Sequence, residues 1–211
     1  MEEDWKRSNL VAYSLVFYLQ AMSLMSLQAE EQYIIATSTR MEIRCWGEHN
    51  KHHFFTLYLN DAVTEFIGGP FNEDMVNSRF QRELESFRCR SYQYFPVYLR
   101  GTDSFMGCCG LRQYSDSDKK ESDSENIENI LEIGFHFLPF YWGKGYATEV
   151  AMTMVRYAFD TLGADRVVAG HNPGNSSSKR CLEKIGFIYV KDEYYPPTGL
   201  MHPLYSLSSE K

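Results

Sequence analysis

The chain has 211 residues, 44% of them apolar and 15% aromatic, with a formal charge of −7. That length suits one globular domain, with room for an appendage, that buries about 70% of its unfolded surface without a disulfide or metal staple. The composition excludes a disordered chain, and the acidic balance argues against a nucleic-acid surface, which needs a basic stripe.

Cys45, Cys89, Cys108, Cys109 and Cys181 are odd in number and show no C-x-x-C spacing. They read as unpaired thiols, most of them small buried apolar side chains, in a reducing compartment, hence the cytoplasm. No metal site is expected.

Residues 1–32 read as an N-terminal extension of helical character. From Leu10 to Ala29 no residue is charged, so the run is long enough to span a bilayer, yet Ser14, Gln20, Ser23, Ser26 and Gln28 make it weakly hydrophobic. The preferred reading is a helix docked on the domain or on a second copy. A membrane-associated segment, and a true start at Met22 or Met25, are the alternatives. From Tyr33 the pattern becomes α/β. "MEIRCW" alternates as a strand, and His49–Gly68 reads as one helix that carries His52 and His53 toward solvent. Asn72 precedes an acidic first turn and predicts a second helix through Phe87, with Met75, Val76, Phe80, Leu84 and Phe87 at helical spacing.

Tyr92–Tyr114 reads as a hairpin turning at Gly101–Asp103. The acidic stretch Ser115–Asn129 lacks apolar periodicity and reads as an exposed loop, either simply solvated or guiding a basic acceptor. In "ILEIGFHFL" a strand turns Leu131, Ile133, Phe135 and Phe137 to one face and Glu132, Gly134, His136 and Leu138 to the other. Ala147, Val150, Ala151, Met154, Val155, Ala158, Phe159 and Leu162 then mark an amphipathic helix stopped by Gly163. A strand at Asp165–Gly170, a turn at His171–Ser177, a short helix ending at Gly186 and two closing strands around Pro196–Gly199 complete the chain.

Between the strand and the amphipathic helix lies "FYWGKGYATEV", Phe140–Val150. Helix N-termini present unpaired N–H groups and partial positive charge, and glycines on either side of one residue let successive amides turn toward one anion. A diphosphate is the natural guest. Lys144 either adds charge at the rim or is solvated. The G-x-G-x-x-G fingerprint fails because Thr148 stands at its third glycine, and the next strand ends in Ala169-Gly170-His171 without the acidic residue of a dinucleotide site.

"LEIGFHFLPFYWGKGYATEVAMTMVRYAF" resembles the acetyl-coenzyme A motif of the GNAT acetyltransferases, [QR]-x-x-G-x-[GA], with Gly143 and Gly145 as its glycines and Phe140 in place of Gln or Arg. That departure is similar to the RimJ/RimL-like ribosomal-protein N-terminal acetyltransferases. "HNPGNSSSKRCLEKIGF" resembles the same subgroup's "N-x-x-S-x-x-x-L-E-K-x-G-F" segment, and "TSTRMEIRCW" and "FIGGPFNED" resemble its opening strand and first helical region. The similarity covers Tyr33 to the C-terminus and implies an acetyltransferase domain over residues 33–211. It also implies a mixed α/β fold: a mostly antiparallel twisted sheet with one parallel, splayed strand pair and helices on both faces.

The resemblance implies direct acetyl transfer from acetyl-coenzyme A to an amine, by a monomer or homodimer. The pantetheine arm would lie along the backbone of Phe135, His136 and Phe137. The diphosphate would sit on the amides of Tyr141, Trp142, Gly143, Lys144, Gly145 and Tyr146, with Asn175 and Ser178 beside the arm. Where relatives carry a tyrosine acid this chain has Leu182, so the leaving thiolate takes its proton from Ser178, from water or from no specific residue.

A lysine amine costs about 4–5 kcal/mol to deprotonate at pH 7 and an α-amine about 1 kcal/mol, so an α-amine needs only a modest base. Glu132, His136 and His171 are the candidates; a salt-bridged carboxylate and satisfied structural histidines are the bland readings beside them. The acceptor is a protein N-terminus or a small amine, with polyamine and antibiotic acetyltransferases as rivals in the same class. A catalytically weak cofactor-binding module is the rival outside it.

Overall fold

A computed structural model describes residues 33–114 and 128–209. The N-terminal extension and most of the acidic stretch fall outside the described residues. In β3 (Tyr94–Leu99) the period of two turns Phe95 and Val97 to one face and Tyr94 and Tyr98 to the other, and both sets are buried. The sheet is therefore covered on both sides. It has eight strands among the described residues, in the order β1-β2-β3-β4-β5-β6-β8-β7. The others are β1 (Ile34–Thr37), β2 (Met41–Arg44), β4 (Phe105–Gln113), β5 (Ile130–Phe137), β6 (Arg166–Gly170), β7 (Ile188–Tyr195) and β8 (Leu200–Ser208).

One face packs against the predicted amphipathic helix, here named for its place in chain order. The helices of the described chain are α1 (Lys51–Tyr58), α2 (Asp61–Thr64), α3 (Glu73–Arg90), α4 (Tyr146–Arg156) and α5 (Ser176–Ile185). Val150, Ala151, Met154 and Val155 of α4 are buried against Leu131 and Ile133 of β5, as the spacing predicts. Each large aliphatic side chain buried this way contributes about 1.5–3 kcal/mol. The last turn widens: Leu162 N–H donates to Tyr157 O, five residues back, before Gly163 ends the helix. On the other face Phe54, Leu57 and Tyr58 of α1 and Val76 and Phe80 of α3 close over Trp46, Tyr94, Tyr98, Phe105 and Cys108.

Two local expectations are corrected. The single helix over His49–Gly68 is broken: a 3₁₀ turn at Glu48–Asn50 leads into α1, and α2 and a second 3₁₀ turn at Glu65–Ile67 follow. Asn60 holds an extended backbone at the break, and its carbonyl accepts from Val63 and Thr64, starting a new helix where the hydrophobic spacing ran on. His53 does not face solvent either. It stacks on Phe105 at 4.7 Å and its Nδ1 lies 3.0 Å from Tyr98 Oη, while His52 is exposed. Strand β1 is also absent from the sequence reading, being four residues long. The expected cap on α3 is present: Asn72 Oδ1 accepts from Met75 N at 2.9 Å.

The feature that positions the site is the parallel pair. β5 and β6 are in register only from Ile130↔Arg166 to Glu132↔Val168. Beyond that point β6 stays with β8 as far as Gly170↔Leu204, and β5 stays with β4 as far as Phe137↔Gly107. The two strands part, and the β6-facing backbone of β5 from Ile133 onward has no strand partner. Among the described residues no helix is long and apolar enough to cross a membrane.

Candidate active site

A cavity of about 620 Å³ opens where β5 and β6 diverge. Glu132, Gly134, Phe135 and His136 of β5 form one wall, and Trp142, Gly143, Gly145 and Tyr146 close one end. Asn175 and Ser178 at the start of α5 lie along the cavity, and Tyr94, Arg79 and Arg112 also line it, with Arg112 beside Glu132.

The glycine loop is built by its own turn. The Tyr141 and Trp142 amides donate back to Leu138 O at 2.9 Å and Pro139 O at 3.1 Å, and Trp142 Nε1 donates to Phe137 O at 2.6 Å. Those two amides are therefore engaged within the turn, and the row that can meet a ligand begins at Gly143. Gly143 and Gly145 hold φ of 72° and 78°, the left-handed region that side chains resist. A Cβ on Gly143 would meet nothing within 4 Å, so packing does not demand glycine there, whereas the backbone does. The first helical N–H with a partner is that of Glu149, bonded to Gly145 O at 3.1 Å. These positions fit a diphosphate: adjacent amides at a helix N-terminus, with open space over Gly143 and the Arg40 guanidinium 3.7 Å from where a Cβ on Gly145 would stand. The Lys144 ammonium instead sits 4.2 Å over the Phe140 ring, and Lys144 does not line the cavity.

Arg40, from the turn before β2, holds this loop. Its Nη1 donates to Lys144 O at 3.1 Å, its Nε to Glu149 Oε2 at 2.7 Å, and its guanidinium lies 4.3 Å from the centre of the Tyr146 ring. Glu149 Oε1 also accepts from Ser38 Oγ at 2.7 Å and Arg40 N at 2.9 Å. Burial pushes the Glu149 carboxyl up, but the bonds from Ser38 and Arg40 outweigh it and hold the group below the ordinary 4.5. A depressed folded-state pKa contributes stability above the unfolded value that is lost as pH falls through the folded one. Glu149→Ala is therefore expected to cost about 1–3 kcal/mol at neutral pH by leaving donors without acceptors. Denaturant unfolding should show that loss shrinking below about pH 4; a pH-independent loss would rule out the ionic account.

The remaining groups divide by environment. Burial raises the Glu132 carboxyl; Arg112 opposes the shift and Glu193 adds to it. Burial, with the charges of Arg79 and Arg112, lowers His136 to about 3, so its ring is neutral at working pH. The ring lies edge-on to Tyr58 and Tyr94, at 5.7 Å from each. Tyr94 reaches the cavity over Gly134, where a Cβ would come within 2.4 Å of its hydroxyl. Burial pushes that phenol up, so it remains an O–H donor.

His171 follows β6 and is buried; its Nδ1 lies 2.8 Å from Asn172 O, and its Nε2 has no hydrogen-bond partner among the described residues. Asn175 Oδ1 caps α5 by accepting from Ser178 N at 3.0 Å, which ties both residues to the helix start. Phe137 is buried in the core and Phe135 partly so, so each can offer only its backbone to an extended ligand. Leu182 is 1% exposed within the same core.

Tyr94, Arg79, Arg112 and Arg40 escaped the sequence reading. Tyr94 read as an ordinary strand aromatic, and the arginines carried no motif. Arg112 faces Glu132 across β4 and β5, a register the sequence does not print.

A parting parallel pair over a cavity, with a glycine loop at a helix N-terminus, defines a class of acyl-group transferases that use coenzyme A thioesters. Residues 40–188 match the profile of the acetyltransferase (GNAT) domain. The chain is 37% identical over 171 residues to the FsC-acetyl coenzyme A-N(2)-transacetylase of Aspergillus fumigatus, covering 77% of this chain and 70% of that one. The crystal structure of a GNAT-family acetyltransferase from Bacillus anthracis superposes with a TM-score of 0.67 at 25% identity, covering 85% of this chain and 99% of that one. Mycobacterium smegmatis RimJ in complex with CoA-disulfide shares the fold at a TM-score of 0.66 and 15% identity, over 81% and 82% of the two chains. The chain belongs to the GNAT acetyltransferase family, whose acyl donor is acetyl-coenzyme A.

Proposed function

We propose that the protein transfers acetyl from acetyl-coenzyme A to a primary amine, either the α-amine of a protein or that of a small molecule. The observation that carries this reading is the cavity at the parting of β5 and β6, with the glycine loop at one end and Glu132 on its wall. In this reading the pantetheine arm takes the place of the missing strand beside Phe135, His136 and Phe137. The diphosphate lies on the amides from Gly143 into the first turn of α4, and Asn175 and Ser178 flank the arm.

The amine nitrogen attacks the thioester carbonyl, the C–N bond forms as the C–S bond breaks, and the amine's proton must leave while the thiolate gains one. A base works best with a pKa near the working pH. Glu132, raised by burial, moves toward that range, and His136, lowered to about 3, moves away from it. We therefore assign proton acceptance to Glu132 and a neutral, shaping role to His136. The Ser178 hydroxyl is the candidate donor to the thiolate, and the Tyr94 phenol is a second protonated group on the wall. The relative from Aspergillus fumigatus, whose name places transfer at an N(2) position, supports an amine acceptor. The free cysteines support action in a reducing, cytoplasmic compartment.

The test is release of free coenzyme A thiol from acetyl-coenzyme A with a panel of amines and N-terminal peptides. Saturable release with at least one acceptor class is expected. Tight acetyl-coenzyme A binding with no release above background for any acceptor would show a binding module instead.

A further inference from the structure

Resting on that reading, we propose that the acceptor carries an anionic group, a carboxylate close to its amine, and that Arg79 and Arg112 bind it. Both residues line the cavity beside Glu132 and His136. Arg79 comes from α3 and Arg112 from β4, so they approach from the face opposite α4. The guanidinium of Arg112 lies 4.3 Å from the centre of the Tyr94 ring, and that of Arg79 lies 4.5 Å from the centre of the Tyr58 ring. Among the described residues neither guanidinium takes part in a hydrogen bond or ion pair, and Arg79 Nε is buried with no partner.

Arg79 and Arg112 are half-buried, and the buried Arg44 of the same protein shows how a structural arginine is satisfied. Arg44 bonds Glu42 at 2.7 Å, Asp103 at 3.0 Å and Thr102 O at 3.0 Å, and it also lies over a tyrosine, Tyr98. Burying a charge costs heavily unless it is paired. Two guanidinium groups turned into one cavity without acceptors leave five-donor forks suited to a planar carboxylate.

The nearby carboxylates do not fill that role. Glu83 accepts from Tyr94 N at 2.8 Å, and Glu193 is engaged by Tyr114 Oη at 3.0 Å and Lys191 at 3.7 Å. Glu132 stands across from Arg112 in the β4–β5 register without forming an ion pair with it. His136 is neutral. An amino acid supplies both missing partners at once: its carboxylate goes to Arg79 and Arg112, and its ammonium proton goes to Glu132. A protein N-terminus has an amide where this carboxylate would be, so the geometry points to the small-molecule branch of the acceptor class.

The experiment pairs α-amino acids with their own C-terminal amides as acceptors and reads thiol release. The acid is expected to show a kcat/KM at least about tenfold above its amide, the scale of a charge-assisted hydrogen bond. Arg79→Gln and Arg112→Gln should each erase most of that ratio, and Arg112→Lys, which keeps the charge but loses the fork, should restore only part of it. Acetyl-coenzyme A affinity reports on folding of each variant. Equal use of acid and amide by the native protein would overturn the proposal. Calorimetry with N-acetyl amino acids and N-acetyl amino amides gives a reading independent of turnover. Tighter binding of the acid that depends on Arg112 upholds the anion site even if no acceptor is acetylated, a result that would sink acetyl transfer alone. Equal binding of the two sinks the anion site.

Discussion

Replacing Glu132 with glutamine is expected to lower kcat by about 10²–10⁴-fold, the usual contribution of a positioned general base, and to raise the melting temperature at neutral pH. The two effects have one cause. Burial holds the Glu132 carboxyl above the ordinary 4.5, so the folded protein binds this proton more tightly than the unfolded chain. A raised folded-state pKa contributes stability that is complete below the unfolded value and is lost as pH rises through the folded one. Glutamine keeps the shape and carries no charge to bury, so it escapes that loss. Arg112 opposes the shift without cancelling it, which sets the net sign. Melting curves of the two proteins should converge below about pH 4 and separate as pH rises. The native rate should climb with pH as Glu132 ionises and then level off. A glutamine variant with rates within about twofold of native would remove Glu132 from the base role, since positioned bases contribute far more. A variant less stable at neutral pH would contradict the burial argument.

The second large effect is expected at Gly143. Gly143→Val should weaken acetyl-coenzyme A binding at least about tenfold, or roughly 1.4 kcal/mol, while the protein still folds. Its backbone sits at a φ of 72°, where a side chain costs about 1–2 kcal/mol and a β-branched one more. The space above it is otherwise open, so no packing clash enters the result. The valine branch would stand over the amides at the start of α4. Gly101 provides the control, because it has a φ of 71°, equally open space and a position in the β3–β4 turn, outside the cavity lining. Gly101→Val should cost similar stability and leave affinity unchanged. Calorimetry that found the two variants alike in affinity would separate the glycine loop from the diphosphate.

The sequence made some of this legible because the signals are short-ranged. The period of two along β5 separated Leu131, Ile133 and Phe137 from Glu132 and His136, and the structure buries the first set in the core against α4 and sets His136 against Tyr58 and Tyr94 on the other face. The spacing from Ala147 to Ala158 located α4, and Asn72 marked the start of α3 through its own side chain. The helix over His49–Gly68 was misread because the apolar spacing continues through Asn60 while the backbone does not. Between its two glycines Lys144 reads as either a charge at the rim or a solvated side chain, and its ammonium rests on Phe140.

By itself the sequence determined the family and the glycine loop, along with the strand and helix on either side of that loop. Each of these depends on residues within a few positions of one another, where side-chain period, backbone freedom and helix-end chemistry act directly. Only the tertiary structure decided where β5 and β6 part. It alone showed that Arg40 ties the loop to Glu149, and that Tyr94 reaches the cavity because Gly134 leaves room. It also brought Arg79 and Arg112, from a helix and a strand far apart in the chain, to one cavity with Glu132. Strand register and helix packing set those meetings, and both arise from the burial of the whole sheet rather than from any one segment.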